Sequence, residues 1–348
     1  MKRVLALTIV LLATVLAEVA DTGQQRLIAL DSTRQEWMPS SKVMEQLVGS
    51  GQRFRDITDF KAGCATFRPT FPTAITTQEH VQPLLSKVSD ELPKRVLKQL
   101  TEFPNRYFNS TNGQKSSEFL YGVVGEFANT TRFTHAFPQA SVIARIPGAS
   151  RPEEIVVVSA HQDSINGVDV GGRAPGADDD GSGSVTILEA LRILSTSSLR
   201  LQRSVEFHWY AGEEGGLLGS ADIAQAYCHK PVVADLHFDM TGFPKSPAAA
   251  VGIVVDHTDP DTSDLVRQLV GEYTDLPAID FQCGYACSDH ASWHESGVRS
   301  ALPFESQFVD GNANIHTPQD SYETVDFDHL LNYVRIALGF IVEVAGVD

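Results

Sequence analysis

From about residue 85 onward, the apolar positions of the chain follow two alternating patterns. Apolar residues recur at helical spacing in residues 88–100 and 116–127, whereas residues 141–146 and 155–160 are short apolar runs typical of buried strands. Further strands are predicted at 205–210, 234–238, 251–255 and 300–303, and further helices at 184–194, 217–227, 262–272 and 326–344. This alternation predicts an α/β fold, with a mixed, mostly parallel central sheet and helices on both of its faces.

The residues before this region have a different character. Residues 18–80 are polar and weakly periodic, and they end in a turn-rich stretch at Pro69 and Pro72. We interpret them as a pro-region, followed by one domain over residues 81–348. An ordinary N-terminal extension of that domain is the alternative.

The first residues have the layout of a secretory signal. Lys2 and Arg3 precede an apolar run over residues 4–16, and small residues near Ala17 suit a cleavage site. We therefore expect residues 1–17 to be a signal peptide and the protein to be secreted, rather than to begin with an amphipathic or core helix. The run is too short for a membrane span, and no later run reaches eighteen apolar residues, so no stable membrane association is expected.

Composition and charge narrow the choice of partners. The 348 residues are 42% hydrophobic and 20% charged, which is typical of a globular protein. The formal net charge of -17 argues against a nucleic-acid partner, because neutralising phosphates requires clustered Lys and Arg. We expect a monomer.

Two further features of the sequence are expected to be modified if the protein is secreted. Asn109 and Asn129 begin Asn-X-Ser/Thr triplets and are candidate glycosylation sites. Cys283 and Cys287 flank a three-residue loop that a disulfide would close in an oxidising compartment, whereas two cysteines are too few for a closed cysteine-only zinc site. The sequence leaves two cysteines without an assigned partner, Cys64 and Cys228.

Five polar motifs stand where predicted strands end or in the loops that follow. The apolar run 155–160 leads directly to His161, and Asp163 lies two residues further on, on the same side of an extended chain. Since ligands of open α/β sheets bind outside the carboxyl ends of strands, we expect the motifs to converge. The other four motifs are Asp178–Asp180, Glu213–Glu214, Asp239, and His316 with Asp320.

These residue types favour a particular metal. Histidine nitrogens together with carboxylate oxygens are ligands that zinc accepts, whereas Ca²⁺ and Mg²⁺ favour oxygen ligands alone. The adjacent carboxylates at 178–180 would repel one another, and a multivalent cation would relieve that repulsion. Three ligands per ion, with one carboxylate shared, would hold two zinc ions and activate a water between them.

With these motifs in order, the chain resembles the secreted dinuclear-zinc aminopeptidases, a family typified by a bacterial leucyl aminopeptidase. Vacuolar aminopeptidases, glutamate carboxypeptidase and glutaminyl cyclase are more distant relatives. The likeness runs from about residue 85 to the C-terminus and includes the strings at 175–180, 283–293 and 303–306.

The resemblance implies a role for each motif residue. Asp179 would bridge the two zinc ions, since it stands three residues before Ser182, as in the family pattern. The other ligands would be His316 and Glu214 for one zinc, and His161 and Asp239 for the second. Glu213 would be the general base, and Asp163 and Asp320 would orient the ligands.

The resemblance also implies finer features of the site. Tyr285, held by a Cys283–Cys287 disulfide, would donate a hydrogen bond to the oxyanion of the tetrahedral intermediate. The peptide bond between Asp179 and Asp180 would be cis. Four residues match positions of the family's hydrophobic substrate pocket, although plain core packing would also account for them: Met240, Phe304, Phe308 and Ile315.

The expected function is therefore that of a zinc exopeptidase that removes an N-terminal residue, with a preference for hydrophobic residues such as Leu. A carboxypeptidase or glutaminyl-cyclase reaction on the same fold is the first alternative. A cyclase usually needs one zinc, and Arg173 is the only arginine near the motifs that would hold a substrate carboxylate. A non-catalytic binding ectodomain is the second alternative, although such proteins typically lose a ligand or the base.

Overall fold

The structure is a computed structural model that describes residues 25–31, 33–50, 52–244, 249–307 and 311–348. The predicted signal peptide, residues 1–17, lies outside the described residues. In chain order, the strands are β1 (Gln25–Ala29), β2 (Gln35–Pro39), β3 (Arg55–Asp56), β4 (Asn129–Phe133), β5 (Ser141–Ile146), β6 (Arg151–His161), β7 (Arg203–Tyr210), β8 (Val232–His237), β9 (Val251–Val254), β10 (Ala278–Phe281), β11 (Arg299–Ala301) and β12 (Pro303–Phe304). The helices are α1 (Ser40–Leu47), α2 (Gln78–Leu85), α3 (Glu91–Glu102), α4 (Thr111–Val124), α5 (Gly183–Ser195), α6 (Leu218–Ala226), α7 (Pro260–Tyr273), α8 (His290–Ser296) and α9 (Phe327–Ala345).

Six strands form the central sheet in the order β11-β8-β6-β7-β5-β4. Neighbours among β11, β8, β6 and β7 are parallel, whereas β5 and β4 pair antiparallel at one edge. The prediction of a mixed, mostly parallel sheet is confirmed. Because β8, β6 and β7 are parallel neighbours, their carboxyl ends lie side by side at one edge of the sheet, which is where such folds bind ligands.

Side chains of β6 alternate between two packed layers, as the twofold period of a strand requires. Val156, Val158 and Ala160 belong to a core that contains the buried faces of α3, α5, α7 and α9. Ile155 and Val157 point to the opposite face and pack with residues of α6 and α8. Helices therefore cover both faces of the sheet, which explains why the sequences of its central strands are continuous apolar runs.

Two smaller sheets flank this body. Strand β9 lies between β10, which is parallel to it, and β12, which is antiparallel. The leading segment forms a separate antiparallel sheet in the order β2-β1-β3, which packs with α1 around its own small apolar cluster. Within the part of the chain described here, no helix is long and apolar enough to cross a membrane.

Residues 61–80 pack against the body rather than with the leading sheet. A disulfide joins Cys64 to Cys228, and Phe71 is buried in the main core. The amides and hydroxyls of Thr76 and Thr77 donate four hydrogen bonds to the carboxylate of Glu343 on α9. The segment predicted as a pro-region therefore consists of two structurally different parts.

Candidate metal centre

Three neighbouring strands deliver the candidate ligands to one edge of the sheet. Strand β6 ends at His161, the chain leaves β7 three residues before Glu213, and Asp239 follows β8 by two residues. The loop that contains Asp179 precedes α5, and His316 lies in the loop between β12 and α9. The structure thus brings the five predicted motifs together.

Two groups of ligand atoms share a single carboxylate. Asp179 Oδ1 lies 3.1 Å from His161 Nε2, and Asp179 Oδ2 lies 3.0 Å from His316 Nε2. His161 Nε2 is also 3.5 Å from Asp239 Oδ1, whereas His316 Nε2 is 3.0 Å from Glu214 Oε2. Within each group, the atoms lie within 4.8 Å of one another. The two oxygens of Asp179 therefore face two separate sets of ligands.

This arrangement fits metal ions. Two atoms bound about 2.0–2.1 Å from a tetrahedral zinc lie roughly 3.3 Å apart, close to the spacings observed here. Among the described residues, several buried ligand atoms have no hydrogen-bond partner: both ring nitrogens of His161, Oε1 of Glu214 and Oδ1 of Asp239. Buried polar atoms without partners are costly, so a cation coordinated by them would remove that cost.

The raised pKa values of nearby carboxyl groups also indicate a cation site. Burial raises the pKa of Glu214 to about 7. Burial, together with the neighbouring Asp178, raises the pKa of Asp320 to about 8. These carboxyl groups are crowded with too little compensating positive charge from protein side chains, and a bound cation would supply it.

Asp163 and Asp320 hold the backbone around the ligands. Asp163 Oδ1 lies 3.4 Å from His161 Nδ1, and its two oxygens accept the amides of Glu213 (3.1 Å) and Glu214 (3.2 Å). Asp320 accepts the amides of residues 178 (2.9 Å) and 179 (3.1 Å). Each carboxylate therefore fixes a loop that carries a candidate ligand.

Sequence reasoning missed the role of Asp180, which appeared only as one member of an acidic run. Its carboxylate accepts the amides of His161 (3.0 Å), Gly183 (2.9 Å) and Met240 (3.1 Å), and so ties together three loops of the centre. The peptide bond between Asp179 and Asp180 is cis, as the resemblance implied.

Arg106 was also missed, since no motif surrounds it in the sequence. Its side chain is fully buried. It donates hydrogen bonds to the carbonyls of Gln162 (2.7 Å), Pro175 and Gly176 (2.8 Å). The guanidinium thus clamps the loop after β6 to the acidic loop, and only the three-dimensional structure reveals this contact.

A cleft of about 180 Å³ opens beside the ligands. Glu213 lines it, as do three of the residues predicted for the substrate pocket: Met240, Phe304 and Ile315. These three pack in one apolar cluster with Leu302. The fourth predicted pocket residue, Phe308, lies outside the described residues.

Tyr285 lies at the same cleft, in the loop that the Cys283–Cys287 disulfide closes. Burial raises the pKa of its hydroxyl well above the ordinary value, so the group stays protonated and able to donate a hydrogen bond. All four cysteines of the chain are paired, because Cys64 and Cys228 form the second disulfide.

The leading segment reaches the mouth of this cleft. The guanidinium of Arg53 lies 4.7 Å from the centre of the Tyr285 ring. Phe54 packs so closely over Gly216 that a Cβ there would lie 3.0 Å from its ring, and the amide of Asp56 donates to the carbonyl of Gly216 (3.1 Å). Residues 52–56 therefore cover part of the entrance.

Comparisons with known proteins agree with this geometry. Residues 141–341 match the model of peptidase family M28. Leucine aminopeptidase 1 of Grosmannia clavigera is 42% identical, in an alignment that covers 94% of this chain and 86% of the relative. The LapA aminopeptidase of Legionella pneumophila superposes with a TM-score of 0.80 at 26% identity, covering 92% of this chain and 98% of that chain.

A structure of BSAP, a zinc aminopeptidase from Bacillus subtilis, superposes with a TM-score of 0.52 at 25% identity, over 59% of this chain and 50% of that chain. Together with the nitrogen and oxygen ligand groups, this similarity supports zinc as the cofactor. The chain therefore belongs to peptidase family M28.

Proposed function

We propose that this metallo-aminopeptidase uses two zinc ions to remove hydrophobic residues such as Leu from the N-termini of peptides. The observation that carries the proposal is the pair of ligand groups that meet at Asp179. A carboxylate whose two oxygens face separate histidines is suited to bridging two ions. The ligands of one ion would be His316 and Glu214, and those of the other His161 and Asp239.

The chain's own groups would supply the remaining catalytic functions. Bound zinc would provide Lewis acidity that polarises the scissile carbonyl and activates a water molecule. Glu213, at the wall of the cleft, would take a proton from the attacking water and pass it to the leaving amine. The Tyr285 hydroxyl would donate a hydrogen bond to the developing oxyanion.

The apolar cluster beside the ligands would set the preference. Met240, Phe304 and Ile315 present an apolar wall to the cleft, which favours Leu, Phe or Met over charged residues. One methylene group changes binding in such a pocket by only about 1–3 kcal/mol, so the preference should be broad.

The cleft argues against a carboxypeptidase reaction. Of the described residues that line it, Arg53 is the one arginine or lysine, and it belongs to the leading segment rather than to the body. A carboxypeptidase needs a cationic group to hold the substrate's terminal carboxylate. The complete set of five ligands likewise disfavours a one-zinc cyclase and a non-catalytic binding protein.

The test is to compare leucyl-p-nitroanilide with its N-acetylated form while metal content is measured. We expect two zinc ions per chain, hydrolysis of the free amine substrate alone, and loss of activity on chelation that zinc restores. Hydrolysis of the acetylated substrate at a similar rate, or a single tightly bound zinc at full activity, would contradict the proposal.

We further propose that the protein is secreted and glycosylated. The signal-like residues 1–17, the two disulfides and the exposure of both candidate acceptors, Asn109 and Asn129, support this. Mass spectrometry of protein recovered from the medium of a secreting eukaryotic host should find glycans at both positions. Protein retained in the cells and free of glycans would argue against it.

We also propose that the predicted pro-region, residues 18–80, restrains the enzyme until it is cut, and that its inhibitory part is the leading sheet with residues 52–56. The contacts of Arg53 and Phe54 at the cleft support this. Replacing both by Ala should raise the activity of the unprocessed chain about tenfold, as the loss of roughly 1–2 kcal/mol of contact predicts. Glu36→Ala, on an exposed position of β2, is the matched control. Equal activities of the three unprocessed proteins would contradict the proposed inhibition.

A further inference from the structure

A chain of hydrogen bonds runs from α6 to the turn that precedes Glu213. Asp222 Oδ2 on α6 lies 2.7 Å from His135 Nδ1, and His135 Nε2 lies 2.8 Å from Ser141 Oγ. The same hydroxyl accepts the backbone amide of Ala211 at 3.0 Å. The side chain of His135 is fully enclosed, whereas that of Asp222 is 49% exposed.

The last link lies where the chain leaves the central sheet. Strand β7 ends at residue 210, and Ala211 is the first residue beyond it. Its amide no longer joins the ladder with β5 but bonds to the Ser141 side chain at the start of β5. The next residue, Gly212, has a φ of 74°, and Glu213 follows directly. Ser141 therefore fixes the point from which the backbone turns to present Glu213.

His135 also reaches this turn by a second route. Its ring stacks on Phe137, with ring centres 4.8 Å apart and planes 10° from parallel. Phe137 in turn packs on Gly212 so closely that a Cβ there would lie 3.0 Å from its ring. The turn before Glu213 is thus held by a hydrogen bond through Ser141 and by an aromatic contact through Phe137, and both begin at His135.

The hydrogen-bond chain has a consistent proton order. The Asp222 carboxylate can only accept, so in a neutral imidazole Nδ1 of His135 donates to it and Nε2 is an acceptor. The Ser141 hydroxyl then donates to Nε2 and keeps its lone pairs for the Ala211 amide. The order Ser-His-Asp resembles that of hydrolytic triads, but Ser141 is fully buried and has no route to a substrate.

We propose that His135 is a positioning residue for Glu213. It acts through Ser141 and Phe137 on the backbone of residues 211–212 and touches neither metal ligand nor substrate. This inference rests on the proposed role of Glu213 as the general base. Because proton transfer depends on the placement of the base, loosening the turn lowers the rate of the chemical step and leaves substrate binding intact.

The experiment measures kcat and KM for leucyl-p-nitroanilide, together with bound zinc, in purified enzyme processed identically for each variant. His135→Ala should lower kcat by about 10- to 100-fold and leave KM within about twofold of the parent value. His135→Gln, whose amide can both donate to Asp222 and accept from Ser141, should recover most of the loss. Bound zinc should equal that of the parent in every variant.

Ser141→Ala tests the same path with a smaller change that the core should tolerate. Its loss of kcat should not exceed that of His135→Ala, which also loses the contact through Phe137. The double variant should lose no more than His135→Ala alone, because the Ser141 hydrogen bond is one of the two routes that begin at His135. His229→Ala, at an exposed position on the surface, is the matched control and should behave as the parent.

Unchanged kcat in Ser141→Ala, additive losses in the double variant, or a loss of kcat that follows a loss of zinc would each overturn the proposal. Failure of the proposed function looks different, because the zinc-loaded parent itself would then not hydrolyse the substrate.

Discussion

Glu213 and Glu214 are neighbours in sequence, yet the structure gives them different surroundings. Glu214 Oε2 faces His316 at 3.0 Å within one ligand group. Glu213 lines the cleft and belongs to neither ligand group. Asp163 accepts both backbone amides, so the two side chains are anchored at one point and diverge from it. The proposed division between ligand and base follows from this divergence.

Substituting each glutamate separately should therefore give two distinct failures. Glu213→Gln should lower kcat by about 10²- to 10⁴-fold while two zinc ions remain bound, because only the proton acceptor is lost. Glu214→Gln should lower zinc content as well. Steady-state kinetics with elemental analysis distinguishes them, and Glu153→Gln, on an exposed part of β6, is the control. Full activity in Glu213→Gln would show that Glu213 is not the general base.

Asp180 shows what the sequence could not reveal at this scale. Ligand types at strand ends were predictable, because local strand patterns together with parallel topology place them at one edge. The three amides that Asp180 accepts come from residues up to 60 positions away, and no local pattern encodes such contacts. The clamp formed by Arg106 on residues 162, 175 and 176 was hidden for the same reason.

The structure predicts that Asp180→Asn weakens metal binding although Asp180 belongs to neither candidate ligand group. Asparagine keeps one acceptor oxygen and turns a donating NH₂ group toward amides that also donate. Loss of such supporting contacts typically lowers metal affinity by about 10- to 100-fold, which competition with a chelator would measure. Asp261→Asn, on an exposed turn of α7, is the control. An unchanged zinc affinity would show that the three loops keep their positions without this carboxylate.

Among the elements, those with a strong apolar pattern were predictable and those at edges were not. Predicted strand 141–146 coincides with β5, and the predicted helix 184–194 lies within one residue of α5 at each end. Strand β4 was missed because it is a polar edge strand, in which no residue is fully buried. Helix α8 was missed because seven residues are too few to display a helical period.

The antiparallel pair β5–β7 contains a polar cluster with a pH-dependent effect on stability. Glu206 on β7 is paired with Arg145 on β5 and bonded to His208 (3.0 Å) and Tyr227 (2.9 Å). Burial alone would raise the pKa of Glu206, but the contacts with His208, Tyr227 and Arg145 outweigh it and lower the pKa to about 2. The carboxylate therefore favours the folded state above its unfolded pKa of 4.5, and this contribution disappears as the pH falls from there toward about 2.

Glu206→Gln should consequently lower the free energy of unfolding at pH 7 by up to about 3 kcal/mol, the equivalent of the lowered pKa. The difference from the parent should shrink steadily below about pH 4.5, since the parent's carboxylate then loses its advantage. Denaturant melts of both proteins between pH 7 and pH 3 measure this. Glu126→Gln, an exposed substitution, should show no such trend, and a constant difference for Glu206→Gln would contradict the assignment.

At the scale of the whole molecule, the α/β class and membership among metallo-aminopeptidases were both predictable from one sequence. The organisation of the N-terminal region was harder to derive, because composition changes gradually there while the packing changes abruptly. Strands β1–β3 and helix α1 form their own sheet and small core, but Phe71, Thr76 and Thr77 join the main body. A polar composition is found both in a segment that covers the surface of a domain and in a segment that packs into the domain itself. Composition alone therefore does not distinguish the two.

The Cys64–Cys228 disulfide makes the position of any activating cut consequential. The bond connects residue 64 to the end of α6 across 164 positions, so a chain cut anywhere after residue 64 stays covalently attached to its leading segment.

A protease site placed at residues 60–63 should release the segment and raise activity. A site at 72–75 should leave the fragment attached on a non-reducing gel, with activity still low, and reductant should free it. In the variant Cys64→Ser with Cys228→Ser, denaturant alone should free the fragment after the cut at 72–75. If the fragment separated from the cut parent protein without reductant, the Cys64–Cys228 bond would not have formed. The position of the cut would then not decide whether the leading segment is retained.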